Sequence, residues 1–290
     1  MSLFVCLVIV LSQVHEELAW YFYKEFIVYN QAIRESYVAA CIEAIEACDI
    51  DEQIIIRPRG LMVVGDEIEA PSKGSVVGEG TLGFSGKLSA ENKSDAQNAF
   101  LFASRAANKL YPEEHQGKEW YLRFREVMTL AGWTPVSKYY SDLHVSGTSV
   151  RMDKLVLEIL GAVVACVALP GSTTALMLKV AGDAIAALQK RDTAALTVYE
   201  RNLLENGVGG ISAGACVEVE GEAIMAVGAV RFLRKNSSTQ VMFTDVDIRN
   251  VNLYRGETVF AKNTLVADAV RESIKSKLVP HKDQIVDIDI

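Results

Sequence analysis

Few residues of this chain have both the type and the setting for covalent chemistry, and Cys216 stands first among them. It follows GlyValGlyGlyIleSerAlaGlyAla (207–215), a run of small residues that lets backbone pass close to the thiol and leaves a slender space beside it. A thioester-linked acyl chain needs such a thiol next to an apolar channel. A nucleophilic thiol needs, in addition, a base or cation that lowers its pKa, and none is near Cys216 in sequence. The plain alternative is an inert buried thiol acting as a small hydrophobe.

Other motifs fall short. Gly210-Ile211-Ser212-Ala213-Gly214 matches GxSxG, but a nucleophile elbow runs strand, Ser turn, helix. Here a helix precedes and a strand follows, so the small residues serve close strand packing. Gly86-Lys87 is followed by Leu88, and Thr81 stands six residues before the Lys, which fails the phosphate-loop pattern. His15, His115, His144 and His281 are scattered, with no pair at metal-ligand spacing. His144, with Asp142 on a strand, is a pocket, surface or core residue. No metal, no dissociable cofactor and no catalytic residue is assigned.

Cys6, Cys41, Cys48, Cys166 and Cys216 are odd in number and contain no CxxC pair. This is no disulfide framework, and it points to folding in a reducing cytoplasm. The four besides Cys216 read as small apolar residues. The 290 residues, 50% of them hydrophobic, suffice for one compact domain over 1–290, or for two interlocked lobes of about 1–150 and 151–290. A net charge of −8 argues against nucleic-acid binding. Arg231-Phe232-Leu233-Arg234-Lys235 reads as a solvated strand end, or as a contact for anionic lipid.

Several elements must position these residues. Helical spacing runs through 12–48, strands are expected at 53–56 and 61–64, and 76–86 forms a turn-rich hairpin. Helices follow from Ser89 to near Tyr111 (Ser94-Asp95 a candidate cap) and over 113–131, with Gly132 as a stop. Strand alternation covers 134–150. Residues 154–190 form two apolar helices around Pro170-Gly171, with no charge from Ile159 to Leu178. An all-round apolar helix is buried or in lipid. A third helix runs from Asp192-Thr193 to Asn206. The pattern is β from Gly210 into the 260s, with a bulge-like slip at Thr244-Asp245. Leu265–Leu278 is a last helix, before a polar, frayed tail from Pro280. The apolar residues 1–11 are a buried first element or a targeting segment. Helices and strands come in runs, which predicts an α+β fold with helical layers packed on an antiparallel sheet and a central apolar helical pair.

The apolar pair and the Gly-rich joint with Cys216 give 150–260 a layout that resembles the Evf-type bacterial virulence factors. The resemblance implies an unusual α/β fold and a fatty acyl group, palmitate, on a cysteine, and Cys216 is the matching position. It implies a virulence factor made in the cytoplasm, then secreted or released to act at a host membrane of anionic phospholipid. The apolar pair would wall the acyl channel. Two alternatives stay open: an acyl-transferring or hydrolytic enzyme with Cys216 as nucleophile, and a pore-forming toxin that inserts the 154–190 hairpin. Each arm of that hairpin nearly spans a bilayer, but Lys179 and Asp183 would each cost about 2.5–3.5 kcal/mol at its centre.

Overall fold

The computed structural model describes residues 31–50, 72–143, 149–167, 169–190, 195–199, 209–232, 243, 245–247 and 253–290. The expectations for 1–30, for strands at 53–64 and for the Asp192-Thr193 cap lie outside them, as does Thr244 of the expected 244–245 slip.

The fold is α+β, built on a seven-stranded sheet. Its strands are β1 (Lys73–Val77), β2 (Gly80–Phe84), β3 (Trp133–Leu143), β5 (Gly209–Val219), β6 (Glu222–Phe232), β8 (Leu253–Lys262) and β9 (Ile285–Asp289), in spatial order β3-β8-β6-β5-β2-β1-β9. β4 (Ser149–Arg151) and β7 (Asp245–Asp247) form a separate antiparallel pair. The sheet is mixed rather than antiparallel throughout, because β2 runs parallel to β5. That pairing joins two hairpins: β1–β2, and β5–β6 with its two-residue Glu220-Gly221 turn. Both residues of that turn have positive φ, as a tight hairpin turn demands.

Helices cover both faces. On one side lie helical residues 31–47 (α1), α2 (Ala90–Leu110), α3 (Gly117–Leu130) and α7 (Thr264–Lys277); α1, α2, α3 and α7 share one core cluster with Leu82, Phe84, Cys216, Met225 and Phe260. On the other lie α4 (Met152–Ala165), α5 (Thr173–Lys190) and residues 195–199 (α6), packed on Ile211, Ala213, Ala215, Val217 and Val230. Among the described residues, the apolar pair thus makes up this layer together with α6. Glycines let it sit close. A Cβ on Gly83 would collide with the Val180 carbonyl of α5, and one on Gly228 would stand 3.0 Å from the Leu160 nitrogen of α4.

Local chemistry sets the helix ends. Ser89, not Ser94 or Asp95, caps α2 by accepting a hydrogen bond from the Asn92 N–H at 3.1 Å. Asn263 caps α7 in the same way. Gly132 ends the α3 segment at φ +87°, where a Cβ would lie 2.6 Å from the Ala267 nitrogen. The tail beyond Pro280 is not frayed. It forms a 3-10 turn (Val279–Gln284) and then β9, which pairs antiparallel with β1. The β1 edge provides the ladder partners, and Ile288 goes into the core as a buried side chain. Among the described residues no helix is long and apolar enough to cross a membrane; α4 has 14 residues and α5 has 18.

Candidate functional site

Strand register places Cys216 at the centre of the sheet. Met225 lies opposite it on β6, Phe260 beyond that on β8, and Phe84 on its other side on β2. The four form one row across four strands, and all are buried in the cluster with α2 and α3. Successive side chains of β5 alternate between faces. Cys216 therefore points away from α4 and α5, whose layer takes Ala215 and Val217 instead. The expectation that the apolar pair walls a channel at Cys216 is overturned: the sheet itself lies between them.

Along β5 on the face of Cys216 stand Gly214, Ser212 and Gly210, a lane with almost no side chain. Neighbours fill it. A Cβ at Gly214 would meet Leu82 Cδ2 at 2.7 Å, one at Gly210 would meet the Arg231 guanidinium at 2.5 Å, and one at Gly80 would meet the Phe100 ring at 2.7 Å. Ser212 sits in extended β5 and is buried, so the GxSxG geometry of a strand-to-helix turn does not arise.

At the other end of the row a polar cluster closes over the sheet. Lys262, two residues beyond Phe260, donates to Asp95 Oδ2 and to Asn92 Oδ1, both at 2.7 Å. Asn92 Nδ2 in turn donates to Glu218 Oε2 at 3.1 Å. Arg271 clamps Asp95 with two hydrogen bonds of 2.8 Å and also meets Glu91 and Asp268. Glu91, Asp95 and Asp268 converge closely enough to hold a cation. The Arg271 guanidinium already binds all three and Lys262 adds a second positive charge at Asp95, so two of the three negative charges are balanced from within. Beside them is a recess lined by Asn98, Ala99, Ala131 and Ile274, about 10 Å³ in volume, which is room for one water and no substrate.

These neighbours fix the state of the thiol. Burial pushes Cys216 far above the ordinary thiol range; Lys262 opposes this and Glu218 adds to it, without reversing the direction. The thiol is protonated at neutral pH and is no resting nucleophile. The same balance runs the other way at Asp95. Burial raises its pKa, but hydrogen bonds from Arg271 and Lys262 outweigh burial and hold the carboxyl below its usual range.

The remaining cysteines divide. Cys41 and Cys48 are buried, whereas Cys166 is exposed at the C-terminal end of α4, contrary to its reading as a core residue. It follows the last turn of the helix, where the chain leaves the layer toward Pro170. Among the histidines, His115 is exposed, His281 is buried beside Gln284, and His15 and His144 fall outside the described residues.

Arg231 is the residue that sequence reasoning most misplaced. Far from a solvated strand end, it is buried, with its guanidinium 3.3 Å from the Trp120 ring centroid and 3.6 Å from Glu79 Oε2. Asn108 donates to Glu79 Oε1 at 3.1 Å and accepts from Trp120 Nε1 at 2.5 Å. The signal was present in Gly210. A position without a side chain opposite an arginine leaves the arginine room to lie flat on the sheet.

No protein-family model matches the chain, and no curated protein matches it in sequence. Among solved structures, one titled "Structure of the Evf virulence factor" is similar at 12% identity over 70% of this chain and 84% of that chain, with a TM-score of 0.30. A likeness at that level leaves the functional reading to the residues themselves.

Proposed function

We propose that this protein is a non-catalytic, lipid-linked factor that carries a fatty acyl thioester on Cys216 and associates with membranes through that chain. The observation that supports it is the setting of the thiol: the centre of an apolar row, at the head of the Gly214–Ser212–Gly210 lane, with no base beside it among the described residues to make it a turnover nucleophile. The thiol S–H is exchanged for S–C(=O)R. An acyl thioester donor supplies the acyl group, and its own sulfur departs as a thiol with the proton. Because the folded thiol is closed in, the exchange belongs to the opening or unfolded chain.

Magnitudes favour burial of the attached acyl chain, in the layer or in a membrane, over its exposure to water. Each buried CH₂ contributes about 0.8 kcal/mol, on the order of 11 kcal/mol for palmitate. Displacing Leu82 and Phe100 from the lane costs about 1.5–3 kcal/mol for each side chain that loses its burial. Membrane association then requires release of the chain, and a single chain gives only marginal, reversible binding. The test is intact mass before and after hydroxylamine, on protein purified from cells that make it. A hydroxylamine-labile increment of one acyl group supports the reading, and an unmodified mass in every preparation removes it.

A further inference from the structure

We infer that His281 is an acid-sensitive latch on the C-terminal strand. Its neutral imidazole closes a relay that runs from Arg105 through Gln284, and a proton on the ring opens the segment that carries β9. The latch does not depend on an acyl group at Cys216.

The donors fix the relay. His281 is 3% exposed and Gln284 2%. The Arg105 guanidinium, itself buried, donates to Gln284 Oε1. A guanidinium has no acceptor, so it meets the amide oxygen and not the NH₂ group. That sets the amide: Gln284 Nε2 is the atom 3.4 Å from His281 Nδ1. An amide NH₂ only donates, so Nδ1 accepts and the ring carries its hydrogen on Nε2. A second proton, on Nδ1, sets N–H against N–H, with the arginine charge one amide away. Turning the amide over moves the conflict to Arg105 and does not remove it.

The turn that holds the ring joins α7 to β9. His281 N–H donates to the Leu278 carbonyl at the end of α7, and the Gln284 carbonyl accepts from Gly78 N–H at 3.0 Å. The next residue, Ile285, starts the β9 ladder opposite Val77. Among the described residues β9 is an outermost strand, five residues long, with β1 as its partner. Opening the turn therefore frees an edge and leaves the centre of the sheet intact. The charged groups on the elements around the turn are Arg105 on α2, Glu79 between β1 and β2, Lys277 on α7, Lys282 and Asp283 in the turn, and Asp287 on β9. Glu79 is engaged by Arg231 and Asn108, and Asp287 by Lys93. Asp283 stands two residues from His281, on another side of a turn with three residues per revolution, and is half-buried where the ring is enclosed.

An imidazole in open chain takes its proton near pH 6.5. The folded turn opposes that proton, so the open segment binds more of it. The stability that the latch contributes is whole above about pH 6.5 and shrinks as pH falls below it. The opening equilibrium is expected to rise about tenfold from about pH 7.5 to about pH 5.5.

Hydrogen exchange on the full chain, read by mass spectrometry and corrected for the intrinsic pH dependence of exchange, measures this at those two pH values. Wild type is expected to lose about tenfold protection over 279–289 at the lower pH, while β5 and β6 keep theirs. His281→Asn keeps an acceptor near the Nδ1 position and cannot take the proton. Gln284→Glu still accepts from Arg105 and offers the charged ring a carboxylate. Both variants are expected to hold the segment at the lower pH, with a thermal melt at the higher pH to show that each folds. Wild-type protection that is equal at the two pH values overturns the latch, and so does an acid loss of undiminished size in a folded variant.

Discussion

The Lys262 ammonium lies 2.7 Å from the Asp95 carboxylate, with both side chains under a tenth exposed, one row of the sheet beyond Cys216. An ion pair so enclosed is costly to break by halves, because the partner left behind is a buried charge. It ties the second turn of α2 to the end of β8, and Arg271 extends the tie to α7. The polar cap over the Cys216 row is therefore fixed by three elements distant in sequence.

Its acid sensitivity follows. Hydrogen bonds from Arg271 and Lys262 hold Asp95 below its usual range against the opposing pull of burial. Asp287, on β9, is lowered in the same sense: burial raises it, but Lys93, Ser75 and Gln97 outweigh burial. A carboxyl depressed in the folded state contributes stability that is complete above the unfolded value, about 3.9, and is lost as pH falls through the folded value. Urea unfolding is expected to weaken below about pH 4, and Asp95→Asn to flatten that limb while costing stability at pH 7. An unchanged acid limb in D95N would contradict the assignment.

The Arg231–Glu79 pair makes a stability prediction on the opposite end of the same face. Glu79→Gln or Arg231→Met alone is expected to cost about 3–5 kcal/mol, because each removes the opposite charge from beside a buried ion. The double variant is expected to cost clearly less than the sum, since neither charge then remains. Chemical denaturation of the three variants measures it, and strict additivity would mean that the two groups do not act as a pair.

Two glycines should respond oppositely to alanine. At Gly83 a Cβ collides with the α5 backbone, and overpacking of this kind costs about 1–3 kcal/mol. At Gly182, inside α5, a Cβ meets nothing within 4 Å. Alanine there is expected to stabilise by about 0.5–1 kcal/mol through helix propensity. Thermal melts would expose an error in the packing of α5 on β2 if G83A were neutral.

Thiol accessibility separates the cysteines. Cys166 is exposed and Cys216 fully enclosed. In folded, deacylated protein, iodoacetamide is expected to label Cys166 within minutes and Cys216 only at the rate of opening. Among the four described cysteines, the fast phase is lost in Cys166→Ser. Rapid labelling of Cys216 would show an open channel to the thiol.

Much of the fold is legible in local pattern. The hairpin at 76–86, the helices from Ser89 and over 113–131, the apolar pair and the β stretch from Gly210 carry their periodicity and punctuation within a few residues. What pattern cannot convey is which face of a strand meets which helix. Cys216 and the apolar pair look adjacent along the chain, yet alternation on β5 puts the thiol on the opposite side of the sheet. Arg231 reads as a solvated end because charge usually marks solvent, and its partners Trp120 and Glu79 come from remote parts of the sequence. The β9 strand hides in a polar tail since its ladder partner, β1, lies some two hundred residues upstream.

The most direct test of the account is the location of the acyl group. Protein from cells that make it would be digested with and without hydroxylamine, and the peptides containing Cys166 and Cys216 compared by mass spectrometry. The account predicts a hydroxylamine-labile fatty acyl group on the Cys216 peptide and a free thiol at Cys166. An acyl group on exposed Cys166 with Cys216 unmodified, or no acyl group on either peptide, would contradict it.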